Sequence, residues 1–354
     1  NYKKIDFSAQ IVGQYSIDNY KSLHCEDIGS ISLEETGLED PRPDEVQVEL
    51  KACSVNFPDL LMIQGKYQFK PPLPFAPGGE AAGDVIKVGS DVSDLREGDR
   101  VVFGSRYGCF SEALNVRATA VHPIPGRLSY AKAASYGTAY QTAYVALTYR
   151  GNLQPGEWLL VHGATGGVGM AAVDLGLLFG AQVIGTGGRN DKLATVRARG
   201  AHEVINYTKA DGSLGGFREE VKSITGSGGA DVIFDPVGGD VFDESMRCIN
   251  FGGRLLTIGF TSGRWPQAPV NLILIKQVSV IGVRAGEIGR RKPELGKRFR
   301  DDLYQLAMDG KINPYVCAGF PLHHAVDAMR MLENRDVVGK CVITMNGYEL
   351  EEDN

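Results

Sequence analysis

"WLLVHGATGGVGMAAVDLGLLFGAQVIGTGG", residues 158–188, decides how this chain folds. Trp158–His162 is a short apolar run of strand length, and Gly163 punctuates its end. Val168, Ala171, Ala172, Leu175 and Leu178 then recur at helical spacing until Gly180, a stop signal. "AQVIGT" begins a second strand. A glycine pattern between a strand and a helix is far more informative than the pattern alone. Ala164, Gly166 and Gly169 fill the three key places of the G-x-G-x-x-G fingerprint, and Gly163 and Gly167 add freedom. Small residues there permit a tight turn and let backbone N–H groups reach a pyrophosphate at the helix N-terminus. Ala164, Thr165, Gly166, Gly167, Val168 and Gly169 are therefore the expected cradle of a dinucleotide. The competing reading is a merely tight β–α turn. The strand before it, the helix after it and the repetition of the pattern downstream weigh against that.

The alternation continues outward. "DKLATVRARG" reads as a helix and "EVINY" as a third strand, with "ADVIFDPVGG", "GRLLTIGF" and "VSVIGV" extending the series. Strands alternating with helices imply a parallel sheet covered on both faces. Before about Tyr136 the character differs. "EVQVELKACSV" alternates in the β manner, and "AAGDVIKVGSDV" followed by "LREGDRVVF" reads as strand, turn, strand. After Arg284, "KRFRDDLYQLAMDGKI" is helical and leads into "HHAVDAMRMLENRDVVGKCVITM", a helix, a turn and a last strand. This tail is expected to return to the first domain. The expected division is 1–138 with 286–354 for the β-rich domain and 139–285 for the nucleotide domain.

Composition narrows the function classes. The 354 residues are 43% hydrophobic and 23% charged, as in a globular protein with substantial cores. A net charge of −6 and a pI near 5.6 point away from nucleic acid and from anionic membranes. The densest apolar patches, such as Val270–Ile275, are strand-sized and too short to span a bilayer. Six scattered cysteines (Cys25, Cys53, Cys109, Cys248, Cys317, Cys341) form no C-x-x-C pair. They read as reduced, mostly buried thiols, without the clustered ligands of a structural zinc lobe. The expected location is the cytoplasm, or the mitochondrial matrix if a leader preceded Asn1.

The end of the second strand bears on the kind of dinucleotide. NAD-binding folds place an acid there to grip the ribose hydroxyls. Here the strand ends "IGTGGRNDK", with no acid before Asp191. Gly188, Arg189, Lys192 and Tyr207 are the expected contacts on that side, with Arg189 and Lys192 offering positive charge to a 2′-phosphate. NADPH is the expected cofactor. The bland alternative is an exposed basic helix start. No Tyr-x-x-x-Lys pair follows Gly169, which excludes a short-chain reductase.

Five ordered motifs, "NFPDLLMIQGKY", "PPLPFAPGGEAAG", "VHGATGGVG", "DPVGG" and "PLHHAVDAMRMLENRDVVGK", span about Leu33 to Met345. Through them the chain resembles the zinc-free quinone oxidoreductases of the medium-chain dehydrogenase/reductase superfamily. The resemblance implies an α/β fold: a Rossmann-type parallel-sheet nucleotide domain plus a β-rich GroES-like catalytic domain. It further implies a homodimer across the nucleotide domains, with "VSVIGV" as the shared edge strand. In zinc-dependent relatives a Cys ligand and a Gly-His-Glu histidine fall where this chain has Asn56 and Gly79. Tyr67 follows Asn56 at the spacing of quinone reductases and matches the proton donor proposed in enoyl-thioester reductases. Asp59, after Pro58, reads instead as a helix start. Resemblance adds cofactor contacts at Thr142, Val237, Gly259, Phe260, Arg284 and Arg335.

Without metal, the accessible reaction is hydride delivery to an already activated small-molecule electrophile, a quinone or α,β-unsaturated carbonyl. Tyr67 is the expected donor to its oxygen, against a packing or gating role, and Asn56 the expected orienting amide, against a turn-stabilising one. Two other readings compete. One is an enoyl-thioester reductase that steers its carrier with Arg290, Arg291, Lys292, Lys297 and Arg298, a cluster that also reads as a solvated helix face. The other is an NADPH-binding structural or regulatory protein.

Overall fold

The computed structural model describes residues 19–24, 30–226 and 228–351, so Cys25 lies outside the described residues. In chain order, the β-rich part holds β1 (Asn19–His24), β2 (Ser32–Gly37), β3 (Glu45–Ser54), α1 (Phe57–Ile63), β4 (Glu80–Val88), β5 (Arg100–Gly104), β6 (Ala113–Arg117) and β7 (Val121–Pro123). Helix α2 (Tyr130–Tyr144) runs into a π-helical turn, Val145–Arg150. The alternating part follows: β8 (Trp158–Val161), α3 (Gly167–Leu178), β9 (Gln182–Gly187), α4 (Asn190–Ala198), β10 (Glu203–Asn206), α5 (Arg218–Ile224), β11 (Ala230–Asp235), α6 (Gly239–Cys248), β12 (Ile249–Thr257), α7 (Val270–Lys276), β13 (Ser279–Gly282), α8 (Ala285–Arg291) and α9 (Pro293–Met308). β14 (Val316–Pro321), α10 (Ala325–Glu333) and β15 (Lys340–Thr344) close the chain.

Two compact units result, residues 1–137 with 313–354 and residues 138–312. The second boundary falls later than the 285/286 expected from the sequence. The reason lies in α9, whose Phe299 packs edge-on against Tyr144 and tilted against Tyr149, while Tyr144 Oη donates to Asp302 at 2.8 Å. Helices α8 and α9 therefore belong to the second unit and only the chain from residue 313 returns to the first.

The second unit is a six-stranded sheet in the order β10-β9-β8-β11-β12-β13, parallel throughout. That order reverses direction at β8, where an open α/β sheet places its ligand crevice. Leu159, Leu160, Val161, Ile233 and Phe234 are fully buried because helices cover both faces of these strands. Gly176 of α3 lies so close to Leu159 that a Cβ would overlap that side chain, so α3 rests directly on β8. β13 is an edge strand. Ahead of it, α7 buries none of its residues and leaves Val270, Leu274 and Ile275 exposed near Trp265 in sequence. The run expected to be strand-sized is thus a short helix that follows Pro269.

The first unit holds an antiparallel β1–β2 pair and a seven-stranded sheet. Its path runs β14-β15-β3-β4-β5-β7, with β6 also pairing β3. β14 and β15 are parallel and the other pairings antiparallel. β15 returns from the far end of the chain to pair with β3, placing Ile343 opposite Cys53. Among the described residues, no helix is long and apolar enough to cross a membrane. Cys53, Cys109, Cys248 and Cys341 are buried free thiols, and Cys317 is half-buried.

Candidate active site

In the first unit, the segment between β3 and β4 folds around buried polar groups. Asn56 has extended backbone and starts α1, with Pro58 in the first turn, where a missing N–H is harmless. Asp59 is the acidic residue of that turn, as the sequence suggested. Its carboxylate accepts from Asn56 N at 2.8 Å and from Gly78 N at 3.2 Å, tying the helix start to the glycine pair before β4. Asp59 is only 1% exposed, and burial pushes its carboxyl up to about 7 against the pull of those N–H groups and Lys340.

Asn56 Nδ2 donates to Glu80 Oε1 at 3.0 Å and more weakly to Ser54 O at 3.4 Å. Lys340, the first residue of β15, donates from Nζ to Asn56 Oδ1 at 2.6 Å and to Val55 O at 3.3 Å. The same ammonium lies 3.5 Å from Glu80 Oε1, and both side chains are buried. An amide has one carbonyl oxygen and two N–H donors. Lys340 takes the oxygen, so the amide is fixed with its nitrogen toward Glu80. Gly79, next to Glu80, brings no side chain at all.

Tyr67 follows α1. Its backbone N donates to Leu61 O at 3.2 Å, and its half-buried ring packs on the core of this unit. The hydroxyl makes no hydrogen bond among the described residues. Arg335, also in this unit, takes a left-handed φ of 62° just past α10. The structure thus groups Asn56, Asp59, Glu80 and Lys340, while Lys340 and Glu80 carried no expectation. The one sequence signal for Lys340 is an ionisable residue opening an otherwise apolar strand, "KCVITM".

The second unit carries the glycine turn. Gly163 is left-handed (φ 57°), and Gly166 N donates back to Gly163 O at 3.0 Å. A Cβ on Gly169 would drive into the Gly163 carbonyl, so only glycine lets α3 start this close to the turn. Ala164 is fully buried, while Thr165, Gly166, Gly167 and Val168 remain partly open over the start of the twelve-residue α3. The N–H groups that open α3 are the kind of donors an anion cradle uses. At the end of β9, Gly188 lies against the Thr208 hydroxyl. Arg189 precedes α4 and is held by Asp191, Nη2 to Oδ2 at 2.6 Å, with both partners exposed. Lys192 is buried and Tyr207 packs on Phe217. Asp191, passed over in the sequence as a helix start, thus shares the charge of Arg189.

Val237, Gly259 and Phe260 sit on two loops zipped together beyond β11 and β12. Thr261 N donates to Pro236 O at 3.1 Å and Ser262 N to Val237 O at 3.0 Å. Thr142 bonds back along α2 to Thr138 O at 2.8 Å. Arg284 begins α8 within 3.9 Å of Glu287. Part of the basic cluster is paired: Glu287 accepts from Arg291 (2.8 Å) and Arg290 (2.6 Å), which with Arg284 pull its carboxyl down to about 2, and Lys297 pairs with Asp301 at 2.6 Å. These are exposed pairs on helix faces, the solvated arrangement.

Residues 42–126 match the alcohol dehydrogenase GroES-like domain, and residues 167–301 match the zinc-binding dehydrogenase family. A quinone oxidoreductase-like protein 2 homolog of Nematostella vectensis is 38% identical over 92% of this chain and 89% of its own length. The chain belongs to the quinone oxidoreductase-like family of the medium-chain dehydrogenase/reductase superfamily. Among solved structures, Escherichia coli quinone oxidoreductase complexed with NADPH superposes with a TM-score of 0.80 at 32% identity, covering 92% of this chain and all of that one. CurK enoyl reductase superposes with a TM-score of 0.81 at 25% identity, covering 93% and 100%. This family member is accordingly an oxidoreductase dependent on a nicotinamide cofactor.

Proposed function

We propose that this protein is an NADPH-dependent, zinc-independent reductase that delivers hydride to quinones or α,β-unsaturated carbonyls. The observation that carries the reading is the state of Asn56 and Gly79, the two places where zinc-dependent relatives have a Cys and a His ligand. Gly79 has no side chain, and the Asn56 oxygen is already bonded to the Lys340 ammonium. A catalytic zinc needs three protein ligands and an open position, which this arrangement does not offer. A substrate that needs no Lewis acid is one already activated by conjugation.

When bound, the cofactor supplies the hydride equivalent. The chain's own residues do the rest. The glycine turn holds the pyrophosphate with the backbone N–H groups that open α3, and Arg189, which shares its charge with Asp191, and Lys192 favour a 2′-phosphate in the absence of an acid at the end of β9. Tyr67, whose hydroxyl is uncommitted among the described residues, donates a hydrogen bond and then a proton to the oxygen that gains charge. Asn56, its oxygen held by Lys340 and its N–H groups turned to Glu80 and Ser54, positions the start of α1 ahead of Tyr67. The enoyl-thioester reading draws support from the likeness to CurK enoyl reductase, but three of the five residues of its proposed steering cluster are paired with Glu287 or Asp301.

The test follows NADPH oxidation with an ortho-quinone, a 2-alkenal and a 2-enoyl-CoA side by side, then repeats it with NADH. Turnover of the first two with NADPH supports the proposal. A preference for enoyl-CoA by orders of magnitude would replace it with the thioester reading. Nucleotide binding without turnover of any substrate would leave a binding protein. Equal use of NADH would overturn the assignment of Arg189 and Lys192.

The exposed apolar face of α7 and the unpaired edge of β13 support, in addition, a homodimer formed through the second unit.

A further inference from the structure

Asp235 ends β11 and is fully buried. Its Oδ1 accepts from both Val237 N (2.8 Å) and Gly238 N (2.9 Å). This is an Asx-type turn, in which a side chain shapes the backbone just ahead of it. The Asp235 carbonyl also accepts from Ile258 N at 2.8 Å, the first rung of the zip that joins this loop to residues 258–262. On the other side, Gly163 of the glycine turn faces Pro236 and Val237, each of which would lie 3.5 Å from an added Cβ. Gly238 (φ 68°) and Gly239 (φ 58°) are both left-handed, and a Cβ on Gly238 would come 3.0 Å from Phe260. One carboxylate oxygen therefore sets the conformation of the loop on which Val237, Gly259 and Phe260 converge. The other oxygen, Oδ2, is buried with no partner among the described residues.

We infer that Asp235 is a positioning residue for the cofactor: its ionised carboxylate holds the 236–239 loop in the shape that receives the nucleotide, and protonation releases that shape. The inference rests on the nicotinamide-cofactor reading of the second unit. It goes beyond that reading by assigning the affinity to a buried group that need not touch the ligand.

Burial raises this carboxyl to about 6, opposed only by its two backbone N–H donors. Among the described residues, no charged side chain opposes or assists it. His162, ending the apolar run of β8, is bonded through its ring nitrogens to Thr186 Oγ1 and Ser245 Oγ, each at 2.8 Å, and burial pushes it down to about 3, so it is neutral. On α6, Asp240 and Asp243 are both held by Arg264, and Glu244 lies 3.8 Å from Arg218. Residues 163–169 and 258–263 contain no ionisable side chain. Hydrogen bonds accepted by a carboxylate are about twice as strong as those accepted by a neutral acid. The nucleotide therefore binds the ionised form, and affinity falls as pH drops through the carboxyl's range.

The experiment measures NADP⁺ dissociation constants by calorimetry from pH 5 to pH 8 on the full chain, for wild type, Asp235→Asn and Asp235→Ala. Asn keeps an acceptor for the two N–H groups but does not titrate; Ala removes the acceptor. Titration of the ligand's own phosphate is common to all three proteins and cancels in their ratios. Relative to Asp235→Asn, wild type is expected to lose affinity about tenfold between pH 7 and pH 5. Asp235→Ala is expected to bind at least about tenfold more weakly than wild type at pH 7. A constant wild-type to Asn ratio across pH, or wild-type affinity in a folded Asp235→Ala, would overturn the inference while leaving the cofactor reading intact. If Ala does not fold, the Asn ratio still decides. Absence of nucleotide binding by wild type would overturn both.

Discussion

Lys340 reaches Asn56 across 284 residues of sequence, and that single contact changes what Asn56 can do. The motif around Asn56 and Tyr67 was legible in the sequence, because it lies in one continuous stretch. The partner of Asn56 was not, because it arrives through the pairing of β15 with β3, which no local pattern announces. Substituting Lys340 by Met removes an ammonium buried beside a buried carboxylate. The expected cost is about 3 kcal/mol of unfolding free energy, read by urea denaturation. Asp59 gives a prediction with a definite sign. Its folded pKa, about 7, lies above its unfolded value near 4, so the native state holds the extra proton between those limits. The stability this confers is complete below about pH 4 and lost as pH rises through 7. Compared with non-titrating Asp59→Asn, wild type should lose ~2–4 kcal/mol of relative stability between pH 4 and pH 8. A difference that is flat with pH would show that Asp59 ionises normally.

At the scale of elements, β8, α3 and β9 were legible because burial of a parallel strand on both faces demands an apolar run, and a tight turn demands glycine. Gly169 is the sharpest test of that logic. Gly169→Ala must push α3 off the Gly163 carbonyl, with an expected cost of about 1–3 kcal/mol and at least a tenfold loss of nucleotide affinity in the same calorimetric titration. Wild-type affinity in this variant would mean that the turn is not the cradle. The apolar run at 270–275 was less legible. A short apolar run fits a buried strand or a helix equally by period, and here Pro269 opens a helix that packs only Leu272 and Ile273 partly on its own unit's core. The loops beyond β11 and β12 were visible as motifs, but their mutual zip was not, since it joins residues about twenty-five positions apart.

At the scale of the whole molecule, the sequence distinguished a β-rich unit from an alternating one but misplaced the return. The helices at 285–308 look like a bridge in sequence; the aromatic packing of Tyr144 and Tyr149 on Phe299 binds them to the second unit. The proposed dimer is tested by Leu274→Glu on the exposed face of α7, where Leu274 is 77% exposed. Sedimentation should show a dimer in wild type and a shift to monomer in the variant at equal thermal stability. A monomeric wild type would remove the proposal. The central claim concerns where the hydride goes, and isotopic labelling of a single product reads it directly. A 2-alkenal is reduced with NADPH carrying deuterium at the transferred C4 position, and the product is analysed by mass spectrometry. Conjugate reduction predicts a saturated aldehyde with deuterium on its β-carbon, formed at about a hundredth of the rate by Tyr67→Phe. An allylic alcohol with deuterium on its carbinol carbon would contradict the account.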